Sequence, residues 1–538
     1  MDIRSRHLTT AIGRRDFLRG LALAGSGLSA AALLEACANS NSRVSLSGNS
    51  AADAKAGELV IANDVYWGTL DFRKLTDFHD WQVATLLYSA LVRNSDTFEP
   101  TPDLAEKWDT PDSTTYVFHL RPAKFHDGTS VTSADVKSSF DTVLDPKFGA
   151  TNRPLFAAIK SVEATDPSTV TMRLSAPNPS LLNFISWIGI VPKAYAEQHP
   201  TEVATHPIGS GPYQFVSTVA QNNTVIKAFD GYWAGKPAFR KITFRVIPEA
   251  TTRTVEIQSG NSDMATVVSF ADVGTLKADP KINVVQVAPN GFSYVGFNLQ
   301  VAALSDVKVR QAIAYAIDRK AINAAVYSGR AQLATGPVIP NSWGYNKNVA
   351  VYNYDTSKAK QLLSQAGAAS GLKLTLTTWT DQAFSQIATI IKQQLGAVGI
   401  DVTINTQEYT VLVSNVLKGI YGDMLLGFGW GQQLDPEQHM LRQFFSANQP
   451  PHGYNFVHYS NPTLDSLLTQ ANMTTDQTKR KPLLNQAQSI LANDLPYAFL
   501  FNVPEYWAVS KGLQNVAAPP PMDRQYLELG TKSKWSVG

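Results

Sequence analysis

Nine imidazoles, one thiol and the carboxylates are among the side chains of this 538-residue chain able to cleave a bond, transfer a group or hold a metal. The histidines are scattered. His119 and His126 flank the end of a strand-like run, and His452 and His458 stand six apart in a loop-like region, neither being a zinc-ligand spacing. No metal and no cofactor are expected. Gly209-Ser210-Gly211-Pro212 lacks the Gly-Lys-Ser/Thr of a phosphate loop, and its proline removes an N–H that would face phosphate. There is no G-x-S-x-G elbow and no H-E-x-x-H, and no carboxylate pair stands out for acid–base work. Catalytic groups can converge from distant segments, so a hydrolase is disfavoured rather than excluded, and no enzyme is expected.

The thiol has a recognisable context. Before Cys37 run Arg4, Arg6 and Arg14-Arg15-Asp16-Phe17-Leu18-Arg19, then a weakly apolar stretch from Gly20 to Leu34. This is the basic-then-apolar order of an export signal, and the stretch falls short of the ~20 strongly apolar residues that span a bilayer. The pair Arg14-Arg15 resembles a twin-arginine signal, and Leu34-Glu35-Ala36-Cys37 resembles a lipobox. In lipoproteins that cysteine carries diacylglycerol and becomes the mature N-terminus, so residues 1–36 are expected to be a signal peptide. The alternative is a buried free cysteine after an ordinary signal. Residues 37–57 are rich in Ser, Asn, Ala and Gly and read as a flexible tether. The protein is thus expected outside the cytoplasm, held to the cell membrane by lipid.

Composition narrows the field further. Hydrophobic residues make up 44% and charged residues 17%, which excludes a disordered chain. Lys plus Arg exceed Asp plus Glu by 46 − 44 = 2, and residues 1–36 hold that whole excess, five Arg against three acids. The neutral remainder has no global field to gather nucleic acid, so no nucleic-acid partner is expected. One cysteine excludes an internal disulfide.

The elements that must position any site alternate in type. Tyr116, Phe118 and Leu120 alternate with polar neighbours as in a half-buried strand. Thr132 and Asp135 resemble a capping box opening a helix. Val309, Ala312, Ile313, Ala316 and Ile317 fall on one helical face. Asp355 opens another helix, closed by Gly367. A strand through Leu372, Leu374 and Leu376, a helix through Ile387 to Leu395 and a strand near Ile400–Ile404 follow. The class is α/β with a partly parallel sheet.

A series of phrases along the mature chain resembles the extracytoplasmic solute-binding proteins of the peptide/nickel ABC-importer family, solute-binding family 5. They are Thr69-Leu70-Asp71, Leu87–Val92 (LYSALV), Pro102–Trp108 (PDLAEKW), Tyr116–Gly128 (YVFHLRPAKFHDG) and Ala134-Asp135-Val136. Pro207–Phe215 (PIGSGPYQF), Gly231-Tyr232-Trp233, Val309–Arg319 (VRQAIAYAIDR), Tyr354–Gly367 and Gly429–Pro436 (GWGQQLDP) continue in the expected order. Most of them read as scaffold: a turn at Phe125–Gly128, a rigid crossover at Pro207–Phe215, and a core helix whose Arg310 and Arg319 are solvated or paired at its ends.

The resemblance implies a two-lobed clamp of the periplasmic-binding-protein type II (cluster C), with an extra subdomain inserted in lobe I. Lobe I would comprise 58–95, 207–300 and 500–538, the inserted subdomain 96–206, and lobe II 301–499. A monomer is implied, enclosing a solute, short peptides first, and docking on the permease and ATPase subunits of an importer. In peptide-binding relatives the segment matching Gly429-Trp430-Gly431 pairs with the peptide backbone, and an aspartate three residues after the tryptophan holds its ammonium group. Here that position is Gln433, which cannot neutralise a cation. Asp435 would either replace it or cap the next helix. Asp80-Trp81 matches a loop where relatives place an acidic contact, or is an acid beside a packed ring. The departure at Gln433 keeps an oligosaccharide or metal chelate open as the solute, with Trp67, Trp81, Trp379 and Trp430 as stacking faces and Gln432, Gln433 and Asn455 as hydroxyl partners. A receptor-coupled sensor is the remaining reading.

Overall fold

The computed structural model describes residues 57–74, 78–95, 99–150, 152–289, 291–369, 371–429, 435–450, 453–516, 530–532 and 534–535. Arg14, Arg15, Cys37, Trp430, Gly431, Gln432 and Gln433 lie outside them.

Regular structure starts where the polar stretch ends. In the strand Glu58–Asn63, Leu59 and Ile61 are fully buried. It runs parallel to Lys241–Val246 on one side and to Met264–Ala265 on the other, inside a seven-stranded sheet. Ile282–Val287, Glu505–Ser510, Asn223–Ala228 and Tyr213–Val219 complete that sheet. A six-stranded sheet has the order Gln332–Leu333, Tyr497–Asn502, Phe292–Phe297, Met424–Gly429, Leu372–Trp379, Ile400–Gln407. Each sheet packs its own apolar core, which makes two lobes of mixed α/β structure. An antiparallel four-stranded sheet, Ala105–Asp112, Thr115–Leu120, Thr169–Leu174 and Ile159–Asp166, falls in the stretch expected to be inserted, and its core runs on into that of the first lobe.

Sheet membership differs from the expected lobe boundaries at two places. Phe292–Phe297 lies within 207–300 and Tyr497–Asn502 spans 499/500, yet both strands pair in the second sheet. Both are buried at every position, so neither carries the alternation that would tie it to one sheet. The crossings between sheets are therefore 288–291 and 503–504.

The recurring phrases are joints of the scaffold. Asp103 accepts from the Ala90 N–H and faces Arg93 Nε at 2.6 Å, while the Arg121 guanidinium lies 4.0 Å above the Trp233 ring. A Cβ on Gly209 or Gly211 would stand 2.2 or 2.5 Å from a backbone oxygen of the helix end at Leu86 and Leu87, so only glycine allows that approach. His126 Nε2 donates to Gly211 O at 3.1 Å and its Nδ1 accepts from the Gly209 N–H; burial drops its pKa to about 4. Of the two environments expected for Arg310 and Arg319, solvated or paired, the structure shows both engaged, with backbone carbonyls as the partners. Arg310 donates to the carbonyls of Leu304, Ser305, Asp494 and Leu495, and Arg319 to those of Ala334, Tyr352 and Phe499, each pinning separate chain segments together.

Candidate functional site

In α/β sheets ligands bind outside the carboxyl ends of the parallel strands. In the second sheet Leu372–Trp379 runs parallel to Ile400–Gln407, with Trp379 opposite Gln407, and parallel to Met424–Gly429 through the pairs Leu376/Met424 and Thr377/Leu425. Trp379, Gln407 and Gly429 thus end at one edge. The last pairing stops at Leu425, whereas the other side of Met424–Gly429 stays paired down to Gly429 opposite Phe292. Thr378 Oγ1 donates to Leu426 O across the start of the gap at 3.2 Å. From Gly427 to Gly429 one strand edge has no strand partner among the described residues. Leu426 O faces the gap, so by the alternation of a strand Phe428 turns its N–H and C=O to the same edge, where an added extended chain can pair with them.

Two rings set the shape of that segment. A Cβ on Gly427 would stand 2.8 Å from Tyr294 Oη, and one on Gly429 2.5 Å from Phe292 Cζ. The Phe292 ring in turn meets the His439 ring edge-on at 5.0 Å. His439 is buried, and burial with Arg442 nearby lowers its pKa to about 3, so its ring is neutral.

The expected site residues fall into separate environments. Gly429 ends the strand with the open edge, and Trp430, Gly431 and Gln433 directly follow it, outside the described residues. Asp435 is the N-cap of the helix Pro436–Phe444, its Oδ1 accepting from the Glu437 N–H at 2.9 Å. Both its oxygens also accept from Arg480 at 2.8 Å, and only 2% of the residue is exposed. An amine could use this carboxylate only by breaking a bidentate, buried ion pair. Asp80 and Trp81 lie in the first turns of the helix Phe78–Leu87, not in a loop. Asp80 is fully buried and accepts from the Gly68 N–H at 2.7 Å, and Trp81 packs on Trp187 with ring centroids 4.5 Å apart. The stacking faces proposed for a sugar also divide. Trp67 and Trp81 are core residues, and Asn455 is fully buried, bonded to Phe445 and Tyr459, so of the described candidates only Trp379 is half-exposed at the strand ends.

Sequence reasoning did not single out Arg480, Glu437 or Tyr409. Arg480 sits 45 positions from Asp435 on the helix Gln477–Asp494, and nothing in the sequence links them. Tyr409 had a signal, its place directly after the strand ending at Gln407. Among the described residues no three His, Cys, Asp or Glu gather as metal ligands, and no helix is long and apolar enough to cross a membrane.

Two lobes, each with its own sheet, joined by two short crossings and bearing a half-open strand at the carboxyl edge of one sheet, define a solute-binding clamp. Residues 99–451 match the family described as Bacterial extracellular solute-binding proteins, family 5 Middle, and the chain belongs to that family. Glutathione-binding protein GsiB of Pectobacterium atrosepticum is 31% identical over 83% of this chain and 88% of its own. Heme-binding protein A of Haemophilus influenzae is 30% identical over 76% and 80%. The periplasmic binding protein DppA of Helicobacter pylori, in complex with the peptide STSA, superposes with a TM-score of 0.77 at 26% identity, covering 90% of this chain and 100% of that one. The chain is accordingly an extracytoplasmic solute-binding protein of the ABC-importer type, a binding protein and not an enzyme.

Proposed function

We propose that the chain is a lipid-anchored receptor that encloses short peptides between its lobes and delivers them to an importer permease. The observation carrying this reading is the open edge at Gly427–Gly429, which Trp430-Gly431 follow in the sequence. An extended backbone added there meets ladder groups that recognise peptide without reading side chains. Two similar proteins support it: one is named for binding glutathione, itself a tripeptide, and one holds the peptide STSA. Cys37 would carry the lipid and Arg14-Arg15 the export signal, with residues 38–57 as tether. A non-peptide solute is the second reading. It is favoured by Gln433 in place of an amine-binding aspartate, by the engagement of Asp435 with Arg480, and by the likeness to a heme-binding protein.

Native mass spectrometry of the chain from Ala38 onward, purified without refolding, separates the two. The expected result is a mixture of short peptides released on denaturation. A single defined non-peptide compound overturns the peptide reading.

A further inference from the structure

We propose that Trp379 and Tyr409 form an aromatic wall of the ligand site that selects an aromatic or large apolar side chain. This rests on the peptide reading above and adds the class of side chain preferred.

The wall is where a bound strand would need it. Trp379 is the last residue of Leu372–Trp379, and Tyr409 opens the helix Tyr409–Leu417 two positions after Gln407, the residue paired with Trp379. Their rings lie 6.1 Å apart at 72°, an edge-to-face contact. The Phe384 ring also packs on Trp379, with centroids 3.9 Å apart and planes tilted by 33°. Trp379 stays half-exposed, Tyr409 is 41% exposed and its neighbour Val411 50%. Leu372–Trp379 and Met424–Gly429 stop pairing at Thr377/Leu425, two residues before Trp379. A chain added along Gly427–Gly429 enters that wedge and lies one strand spacing, about 4.8 Å, from the strand it joins. Alternate side chains of such a chain point to the face that carries the indole and the phenol.

Charge at this edge fits the same occupant. There is no Lys or Arg from 374 to 391 or from 402 to 417, so these two segments offer no cation to a carboxylate. The two acids present cap helices: Asp381 Oδ1 accepts from the Phe384 N–H at 2.9 Å and Glu408 Oε2 from the Val411 N–H at 3.2 Å. The other exposed residues beside the rings, Thr380, Gln382, Asn405 and Thr406, are uncharged.

Calorimetric titration of the full-length chain in detergent with Ala-Phe-Ala, Ala-Ala-Ala and Ala-Lys-Ala tests this. The wild type should bind Ala-Phe-Ala at least about tenfold more tightly than Ala-Ala-Ala, the scale of one buried aromatic contact. Trp379→Ala should erase that preference while Trp379→Phe keeps most of it. Tyr409→Ala, at an exposed position, repeats the test without opening the core and should lower the preference severalfold. Equal affinity of the wild type for Ala-Phe-Ala and Ala-Ala-Ala, tightest binding of Ala-Lys-Ala, or a preference that survives both alanine variants overturns the aromatic wall and leaves the peptide reading standing. Binding of none of the three overturns the peptide reading and this inference with it.

Discussion

Asp435 has the charge to meet a cationic ligand, yet its oxygens are held by Arg480 at 2.8 Å each, with both residues almost wholly buried. Arg480 also donates to Glu437 Oε2 at 3.0 Å, so one guanidinium faces two carboxyl groups. Burial and the Asp435 charge push the Glu437 carboxyl well above the usual carboxylate range, only partly offset by Arg480. A folded-state pKa raised above the free-glutamate value of ~4.3 means the folded chain binds the extra proton between the two values. Stability from this group is complete below ~4.3 and is lost as pH rises through the higher folded value. Glu437→Gln should therefore flatten the decline of stability toward alkaline pH, read by urea unfolding from pH 5 to 9. Arg480→Met leaves the buried Asp435 carboxylate without its partner and should cost about 3–5 kcal/mol. A loss below about 1 kcal/mol would show that the pair is not buried in solution. None of this was visible in the sequence, because the partner of Asp435 comes from a helix 45 residues away.

At the scale of elements, local signals held where one residue acts on its own backbone. Thr132 N–H and Oγ–H both donate to Asp135 Oδ2, Asp355 caps the Lys358 N–H, and Gly367 has φ +70° after its helix. Val309, Ala312, Ile313, Ala316 and Ile317 all enter the second core. Those features depend on neighbours three or four positions away, which a sequence displays. The open edge at Gly427–Gly429 depends on where another strand diverges, and the glycines themselves gave no hint of the rings above them. Tyr294, which blocks a side chain at 427, is stacked on Tyr497 with centroids 4.0 Å apart and planes 4° apart, so it has little room to yield. Gly427→Ala should consequently destabilise the second lobe by about 1–3 kcal/mol through overpacking. Guanidinium unfolding followed by tryptophan fluorescence would measure it, and a change within ±0.5 kcal/mol would mean the ring moves freely.

For the whole molecule the crossings decide how a ligand bound at one sheet is felt by the other lobe. Residues 288–291 carry Pro289 and residues 503–504 carry Pro504, so both connections are short and stiffened. Asn502 Nδ2 donates to Gly291 O at 2.9 Å and ties the two crossings together. Phe270, from the first lobe, contacts Tyr506 at 5.8 Å and Tyr327 of the second lobe at 5.3 Å, and its carbonyl accepts from Arg330 Nε at 3.3 Å. The same crossing touches the candidate site: a Cβ on Gly291 would stand 2.4 Å from Gly429 O. The Gly429 carbonyl is thus turned toward the crossing, so a rotation about 288–291 acts on the strand whose other edge would pair with a ligand, and a ligand favours whichever lobe arrangement gives it more contacts. Gly291→Ala forces that carbonyl aside at an overpacking cost of about 1–3 kcal/mol. Its affinity for the co-purified solute should fall by a larger factor than its unfolding free energy explains. Equilibrium dialysis of that solute against wild type and variant, with urea unfolding alongside, measures both. Unchanged affinity in a folded variant would separate the crossing from the site, and would leave lobe closure without a mechanical link to the strand that reads the ligand.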